Sequence, residues 1–298
     1  MIFTINSLSL IQETKLNWIK VMSENAQTWS NCLRDINNGI SVHGTGMINI
    51  GKLAKVIMNK NIVINSIDLP EILNWSKCFN LICKDFSKGA LSLKQLKRRI
   101  GYKLLNVSNE NELKLKVSQL ININAVQYLR IKSDALVNAK ECQLITEILN
   151  KNKNLSLAVE IDENAHINLI EYAKLLKNLG EMFEHRVFVS YDTGHFFNFQ
   201  RKLNIETQNL IEQLSACKLK VAVIEINQIG KASNMGWHRI PWEDGKIDIL
   251  DTIEKLKKSQ LLVDEKDLEI VTEIYPWFFP ELTKGMYKFA QKIFEIIK

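Results

Sequence analysis

Short apolar runs that carry an acidic residue at or near their end recur in the second half of the chain. Four of them are Leu155–Asp162, Arg186–Asp192, Lys220–Gln228 and Glu269–Tyr275. A strand buried on both faces is a continuous run of Val, Ile and Leu, so a carboxylate at its end needs an explanation. In a parallel barrel the carboxyl ends of the strands meet at one mouth. The pattern therefore predicts several acids at a shared site.

Strand-like runs alternate with helix-like ones along the chain. The predicted strands are Ile2–Asn6, Gly39–His43, Ile62–Ser66, Val126–Ile131, Leu155–Ile161, Arg186–Asp192, Val221–Asn227 and Glu269–Ile274. Helical apolar spacing fills Ile167–Leu179, Ile205–Leu214 and Ile249–Lys257. Alternating strands and helices indicate a parallel sheet, and eight repeats indicate its closure into a (β/α)8 barrel. We expect one domain over residues 1–298, with two or more helices between Asp68 and Asn124.

Side-chain alternation predicts which residues face the barrel interior. In the run LSLAVE, Ser156, Ala158 and Glu160 share one face, and bulky aliphatic residues share the other. The small and polar face fits the interior. Extended to every strand, this parity predicts an inward ring at the mouth: Asn6, His43, Asn65, Arg130, Glu160, Asp192, Glu225 and Glu273. Buried unpaired charges are costly, so these groups must neutralise one another, bind a metal or stay hydrated.

Composition places the chain among ordinary globular proteins. Its 298 residues are 46% hydrophobic and 24% charged, and no apolar run is long enough to cross a bilayer. The N-terminal segment lacks a basic region and a small-residue cleavage site, so we expect a first strand there. Five scattered cysteines without a Cys-x-x-Cys pair indicate reduced thiols. These features predict a cytoplasmic protein.

The net charge of +6 changes this picture little. Lysine supplies most of it, and the compact basic cluster is Lys94, Lys97, Arg98 and Arg99. A solvated helix face explains that cluster better than a phosphate or nucleic-acid patch. We therefore expect neither a membrane nor a nucleic acid as partner.

The predicted mouth suggests a cation and proton transfer. Carboxylates from strands five to eight, together with His195, suit a divalent ion such as Mn²⁺, Mg²⁺ or Co²⁺. A metal there could polarise a carbonyl and an adjacent hydroxyl, which makes the C–H between them more acidic. Two carboxylates on opposite sides of that carbon could then exchange its proton.

Four segments carry a resemblance to a known superfamily. They read VSYDTGH, VAVIEINQIGK, WHRIPWEDGKID and EIVTE. Together they resemble the C-terminal half of the xylose isomerase-like TIM barrels, over about Leu155 to Glu273. That superfamily includes sugar epimerases, sugar-phosphate isomerases, inosose-type enzymes and endonuclease IV.

The resemblance implies roles for the acids. Ketose 3-epimerase-like members hold their metal with a Glu on strand five, an Asp on strand six, a His on strand seven and a Glu on strand eight. Glu160, Asp192 and Glu273 match three of these positions, and Glu160 and Glu273 are implied to be the two proton-exchanging bases. On strand seven this chain departs from the family, because Glu225-Ile226-Asn227-Gln228 replaces His-x-x-Asp. Glu225 is then the predicted fourth ligand, or the site holds no metal.

Five further residues are predicted to bind the substrate: His195, His238, His43, Arg130 and Trp237. Each of these has an alternative role. By the same resemblance His195 could hold a second metal, and His238 could be a surface histidine. Arg130 could instead balance the acids, and His43 could belong to a simple turn. Trp237 lies among loop aromatics that suit the apolar face of a sugar, or a lid, or a subunit contact in a homo-oligomer.

The sequence therefore predicts a divalent-metal-dependent isomerase or epimerase of carbohydrate metabolism. Its substrate would be a sugar, a sugar phosphate or a related polyol. The alternative is a metal-free barrel that serves as a binding or partner protein, which the altered strand-seven motif favours. DNA repair like that of endonuclease IV fits less well, since a trinuclear zinc site needs more than the five histidines present.

Overall fold

The architecture comes from a computed structural model of the chain. The structure describes residues 1–6, 10, 18–43, 62–69, 115, 118–119, 121–122, 126–136, 139–161, 168–230, 239–274 and 278–298. Most of the segment in which extra helices are predicted, Asp68 to Asn124, lies outside these residues.

Eight parallel strands close into a barrel in chain order. The ring closes because β1 pairs with both β2 and β8. The strands are β1 Ile2–Asn6, β2 Asn38–His43, β3 Val63–Asp68, β4 Tyr128–Lys132, β5 Ser156–Glu160, β6 Val187–Asp192, β7 Val221–Ile226 and β8 Glu269–Thr272. The predicted (β/α)8 barrel is thereby confirmed. A single domain over the whole chain stays a prediction.

Seven α-helices lie in the described part of the chain. They are α1 Trp18–Cys32, α2 Ala139–Lys151, α3 Leu169–Met182, α4 Thr193–Leu203, α5 Thr207–Ala216, α6 Ile249–Lys258 and α7 Phe279–Ile297, with short 3₁₀ turns at Ser133–Leu136 and Glu265–Asp267. The three helices predicted from apolar spacing are α3, α5 and α6. A capping box between Asn168 and Glu171 starts α3, and Asp248 caps α6.

The alternation of side chains divides the core into two layers. Outward residues such as Leu157 and Val159 are buried against the helices in the main apolar cluster. A smaller cluster includes Tyr128, Ala158 and Val271, with Phe188 packed against it, and it fills the lower interior of the barrel. Polar residues two positions further along the strands then face the mouth. The lower interior of the barrel is thus mostly apolar, and the mouth is polar.

The third strand corrects the predicted ring. It was expected to end at Ser66, yet β3 continues to Asp68, and its pairing with β2 shifts register at Asn65. This extra residue advances the alternation, so Asp68 comes opposite Arg130 at the mouth. Asn65 is buried at the irregularity and does not hold the ring position that uniform alternation predicted.

No helix in the described part of the chain combines the length and apolar character that a membrane crossing requires.

Candidate active site at the barrel mouth

The junction of β6 and α4 places the first two site residues. Asp192 ends the strand and α4 begins at the next residue, so no loop separates them. The Oδ1 atom of Asp192 accepts the backbone N–H of His195 at 2.7 Å, and Oδ2 accepts Nδ2 of Asn227 at 2.9 Å. Asp192 therefore caps a helix and also lies in the mouth. Each of its oxygens keeps a second lone pair.

Gly194 is required at this junction by a close approach. A Cβ at this position would lie 2.4 Å from Oδ1 of Asn227, which is too short for any side chain. Thr193 fixes the same asparagine, because its hydroxyl donates to the Asn227 carbonyl at 2.9 Å and accepts the Asn227 N–H at 3.1 Å. The sequence Asp-Thr-Gly thus docks the start of α4 onto the end of β7.

One side of the mouth brings together Glu160, Asp192 and His195. Ligand atoms of the three residues all lie within 4.8 Å of one another. The Oε1 atom of Glu160 is 3.3 Å from Nε2 of His195, and it is buried without a hydrogen bond. The ammonium of Lys132, which ends β4, lies 3.5 Å from the same Nε2 atom. We call Glu160, Asp192 and His195 the open cluster.

The other side of the mouth is held by a buried ion pair. Arg130 Nη2 contacts Glu225 Oε2, and both side chains are about 1–2% exposed. Ser190 donates to Glu225 Oε1 at 3.0 Å, and Arg130 Nη1 donates to Ser41 Oγ at 2.8 Å. We call Arg130 and Glu225 the paired side. Arg130 thus balances an acid, one of the two roles that the sequence left open, and its predicted contact with a substrate stays a prediction.

Glu273 joins the two sides. Its carboxyl group is hydrogen-bonded to Glu225, and ligand atoms of Asp192, Glu225 and Glu273 also lie within 4.8 Å of one another. Burial alone would raise the pKa of Glu225, but Arg130, Glu273 and Ser190 stabilise its carboxylate and lower that pKa. Burial, and then the charges of Glu225 and Asp68, raise the pKa of Glu273 well above its ordinary value. Glu273 therefore binds a proton more tightly than Glu225 does.

The acids of the open cluster also hold protons more tightly than usual. Burial raises the pKa of Glu160 to about 8, although Lys132 and His195 act in the opposite direction. Burial likewise raises the pKa of Asp192 against the influence of His195. These shifts arise because water is excluded and no sufficient positive charge replaces it.

The charges of the described mouth do not balance. Its carboxylates are Asp68, Glu160, Asp192, Glu225 and Glu273, and its permanent cations are Arg130 and Lys132. One layer below, the buried Glu269 accepts hydrogen bonds from Thr4 at 2.6 Å and Ser66 at 2.9 Å. Buried negative charge of this size is neutralised either by protons or by a bound cation.

The structure brings together the four acids that the sequence predicted, with His195 and Arg130 beside them. His238 and Trp237 lie outside the described residues, and so does the side chain of His43, which ends β2. The roles assigned to all these residues stay predictions.

Three mouth residues were not predicted: Lys132, Asn227 and Asp68. Lys132 could have been found, because it follows Arg130 by two residues and so shares its face. Asn227 stands one residue beyond its strand, and its role depends on the neighbouring helix. Asp68 depends on the register shift in β3, which no sequence pattern shows.

The structure explains two residues of the segment WHRIPWEDGKID, Gly245 and Asp248, which follow β7. Gly245 packs so closely on Gln228 that an added Cβ would lie 2.1 Å from its Cδ. Gln228 in turn accepts the N–H groups of Ile229 and Ile247, each at 3.0 Å. Asp248 caps α6 through Asp251 N. These residues shape the loop and make no described contact with the open cluster.

Comparison with known proteins places the fold. No protein-family model matches the chain, and no curated protein matches it. Solved structures do match over almost the whole chain. The apo form of 3-keto-D-glucoside 4-epimerase YcjR from E. coli is 10% identical, with a TM-score of 0.54 and coverage of 97% of this chain and 98% of that chain. An AP endonuclease of family 2 from Brucella melitensis is 12% identical, with a TM-score of 0.53 and coverage of 97% and 98%.

The chain has the fold of the xylose isomerase-like TIM barrels. A third match, the probable 3-DHS dehydratase AsbF involved in petrobactin synthesis from Bacillus anthracis, is 12% identical, with a TM-score of 0.50 and coverage of 96% and 98%. The fold implied by the sequence resemblance is therefore confirmed. Because proteins of this fold differ in activity, the reaction has to be argued from the site.

Proposed function

We propose that the mouth is the active site of an isomerase or epimerase that acts on a sugar, a sugar phosphate or a related polyol with the help of a divalent metal. The observation that carries the proposal is the pair Glu160 and Glu273, which each have a carboxylate oxygen within 4.8 Å of Asp192 and whose pKa values burial raises. The similarity in fold to a 3-keto-glucoside epimerase supports it by analogy.

The donor set of the mouth fits a divalent cation. Glu160 Oε1 is a buried carboxylate oxygen without a hydrogen bond, and Asp192 and His195 offer further ligand atoms within 4.8 Å. Carboxylate with imidazole suits Mn²⁺ or Co²⁺ better than Mg²⁺, which prefers an all-oxygen site. A bound ion would polarise a substrate carbonyl and its neighbouring hydroxyl. It would also supply the positive charge that the mouth lacks.

The two glutamates can exchange a proton across a substrate carbon. In the reactive state Glu160 is ionised, and its carboxylate takes the proton from the carbon next to the carbonyl. The electron pair of that C–H bond then forms the enediolate. Glu273 holds a proton because Arg130 stabilises Glu225 as the carboxylate. Delivery of that proton to the opposite face of the carbon inverts its configuration. Delivery to the neighbouring carbon moves the carbonyl, provided that the hydroxyl proton passes to the former carbonyl oxygen.

Proton exchange with solvent tests this reaction without knowledge of the substrate. The metal-reconstituted protein is incubated in D₂O with a panel of ketoses, aldoses, inososes and their phosphates. The proposal predicts deuterium at one carbon of at least one compound, even where net turnover is slow. Glu160→Gln and Glu273→Gln should each lower the exchange rate by at least about 100-fold, the lower bound for a general acid or base.

The surface variant Glu254→Gln provides a matched control, because Glu254 pairs with Lys258 on the outside of the barrel. It should exchange like the wild type. Exchange that survives in folded Glu160→Gln and Glu273→Gln would show that the reaction uses other residues.

A second candidate function rests on the Arg130–Glu225 pair. An internal arginine at the strand-seven position neutralises one acid without a metal, as expected of a barrel that only binds a ligand or a partner protein. That candidate predicts no deuterium uptake from any compound in the panel, together with binding of an unchanged sugar or polyol.

A further inference from the structure

The open cluster offers a smaller cation site than the four carboxylates that the sequence predicts. We infer that Glu160, Asp192 and His195 hold the divalent cation and that Arg130 keeps Glu225 out of the ligand set. The inference rests on the proposed function, since it names ligands for its metal. It makes His195 a ligand of the same ion as Glu160 and Asp192, whereas the family resemblance implies a contact with substrate or with a second metal.

The open cluster contains a buried acceptor that nothing satisfies. Glu160 is 6% exposed, and its Oε1 atom accepts no hydrogen bond although Nε2 of His195 is 3.3 Å away. A buried carboxylate oxygen in this state is destabilising unless a cation or a proton contacts it. Ligand atoms of Asp192 and His195 already lie within 4.8 Å of a carboxylate oxygen of Glu160. A single ion between the three residues would accept a lone pair from each of them.

Glu225 is in the opposite state. One of its oxygens accepts from Ser190 at 3.0 Å, and the other contacts the guanidinium of Arg130. Arg130 is itself fixed by Ser41 at 2.8 Å and is 1% exposed, so it has no room to swing away. An ion bound to Glu225 would therefore face a buried positive charge at short range, which is strongly unfavourable where water is excluded.

Lys132 places a positive charge beside the open cluster, as Arg130 does beside Glu225. Its ammonium lies 3.5 Å from Nε2 of His195 and acts on Glu160 electrostatically. An ion bound to His195 would be repelled by this ammonium, so the lysine competes with the metal. The inference therefore predicts that Lys132→Met binds Mn²⁺ more tightly than the wild type does.

Titration of the metal-stripped protein with Mn²⁺, followed by electron paramagnetic resonance, tests the ligand set without any substrate. The wild type should bind one ion, and its echo modulation should show one coordinated nitrogen. His195→Asn should remove the nitrogen signal and weaken binding by at least about tenfold, because loss of even an outer-shell partner of a metal ligand has an effect of that size. His185→Asn is the matched control, because His185 is exposed beside the lower end of β6, and it should leave both signals unchanged.

The paired side is tested by replacing both of its charges. Arg130→Met with Glu225→Leu removes the pair without leaving a lone buried charge, and the inference predicts an Mn²⁺ affinity within about threefold of the wild type. If this double variant does not fold, Arg130→Gln with Glu225→Gln gives the same comparison with two neutral side chains that can still form hydrogen bonds. Its affinity should also stay within about threefold, because the amide can still accept from Ser190.

Two results would overturn the inference. Loss of Mn²⁺ binding in the Glu225 variants, with the nitrogen signal unchanged in His195→Asn, would restore the four-carboxylate set and leave the proposed function intact. Absence of Mn²⁺ binding at millimolar concentration would exclude the metal site. Deuterium exchange measured in the chelated protein then separates the two claims, since exchange there would keep the isomerase and reject only its metal.

Discussion

The two sides of the barrel mouth surround a buried carboxyl group in different ways. On the paired side, a buried carboxylate meets a guanidinium and a hydroxyl, and the pKa of Glu225 falls. In the open cluster, whose ligand atoms lie within 4.8 Å of one another, a buried carboxylate lacks a hydrogen bond at one oxygen, and the pKa of Glu160 rises to about 8. The surroundings therefore shift the pKa values of two glutamates at the same mouth in opposite directions.

This difference separates a structural acid from a reactive one. A paired buried acid has little more to gain from a ligand, whereas an unpaired one is stabilised by any cation or proton that reaches it. Between them lies Glu273, which is hydrogen-bonded to the first and close to Asp192 of the second. The mouth can thus hold a proton on one side and a cation on the other.

The largest expected effect comes from breaking the paired side. Arg130→Met leaves Glu225 buried without its partner, which should lower the free energy of unfolding by about 3–5 kcal/mol. Denaturant unfolding at neutral pH measures the change. Arg239→Met is the matched control, because Arg239 pairs with Glu243 in a partly exposed position and should cost about 1 kcal/mol or less. Equal losses in the two variants would contradict the structural role of the Arg130–Glu225 pair.

A smaller effect is expected where Asn227 holds the open cluster in place. Gly194→Ala puts a Cβ 2.4 Å from Oδ1 of Asn227, which must shift and release Asp192. We expect a loss of about 1–3 kcal/mol in stability, together with weaker Mn²⁺ binding.

The control for this variant is Gly180→Ala in helix α3, where an added Cβ meets nothing within 4 Å. Alanine there should be neutral or stabilising by up to about 1 kcal/mol, because it favours the helix. If Gly194→Ala binds Mn²⁺ like the wild type, the position of Asp192 does not depend on Asn227.

A further expected effect is a dependence of stability on pH. The pKa of Glu160 is raised from 4.5 to about 8 on folding, so its stabilising contribution is present below pH 4.5 and is lost as the pH rises to about 8. Burial shifts the pKa values of Asp192 and Glu273 in the same direction. The lowered pKa of Glu225 acts below this window, where stability falls with falling pH.

Thermal unfolding of the chelated protein at pH 5.5 and pH 8.0 measures this dependence. The midpoint should fall by roughly 2–4 °C for each 1 kcal/mol lost. Saturating Mn²⁺ should remove most of this fall in the midpoint, because a bound cation stabilises the ionised form of Glu160 in the folded protein. If the midpoint of the chelated protein instead rises from pH 5.5 to pH 8.0, nearby positive charge already compensates the ionised acids of the open cluster.

The strands were predictable because each combines an apolar run with a regular alternation of faces. That alternation also placed Glu160, Asp192, Glu225 and Glu273 inside one mouth. It failed at β3, where the register shift at Asn65 moves Asp68 into the ring. A strand irregularity changes every later side-chain direction, and nothing in the composition of β3 marks it.

The division of the mouth into two sides could not be predicted from the sequence. Glu225 was a predicted ligand because it ends strand seven, and its partner Arg130 comes from strand four across the barrel. Which acid an internal arginine contacts depends on strand stagger and side-chain length. Lys132 was within reach of the same reasoning, since it shares the face of Arg130 at the end of β4.

Anomalous diffraction from crystals grown with Mn²⁺ tests the central claim most directly. The account predicts one peak in the mouth, with Glu160, Asp192 and Nε2 of His195 about 2.0–2.6 Å from it, and with Arg130 still bound to Glu225. A peak among Asp192, Glu225 and Glu273 with the Arg130 pair broken would contradict the division into a paired side and an open cluster. A mouth without any peak at millimolar Mn²⁺ would contradict the metal site itself.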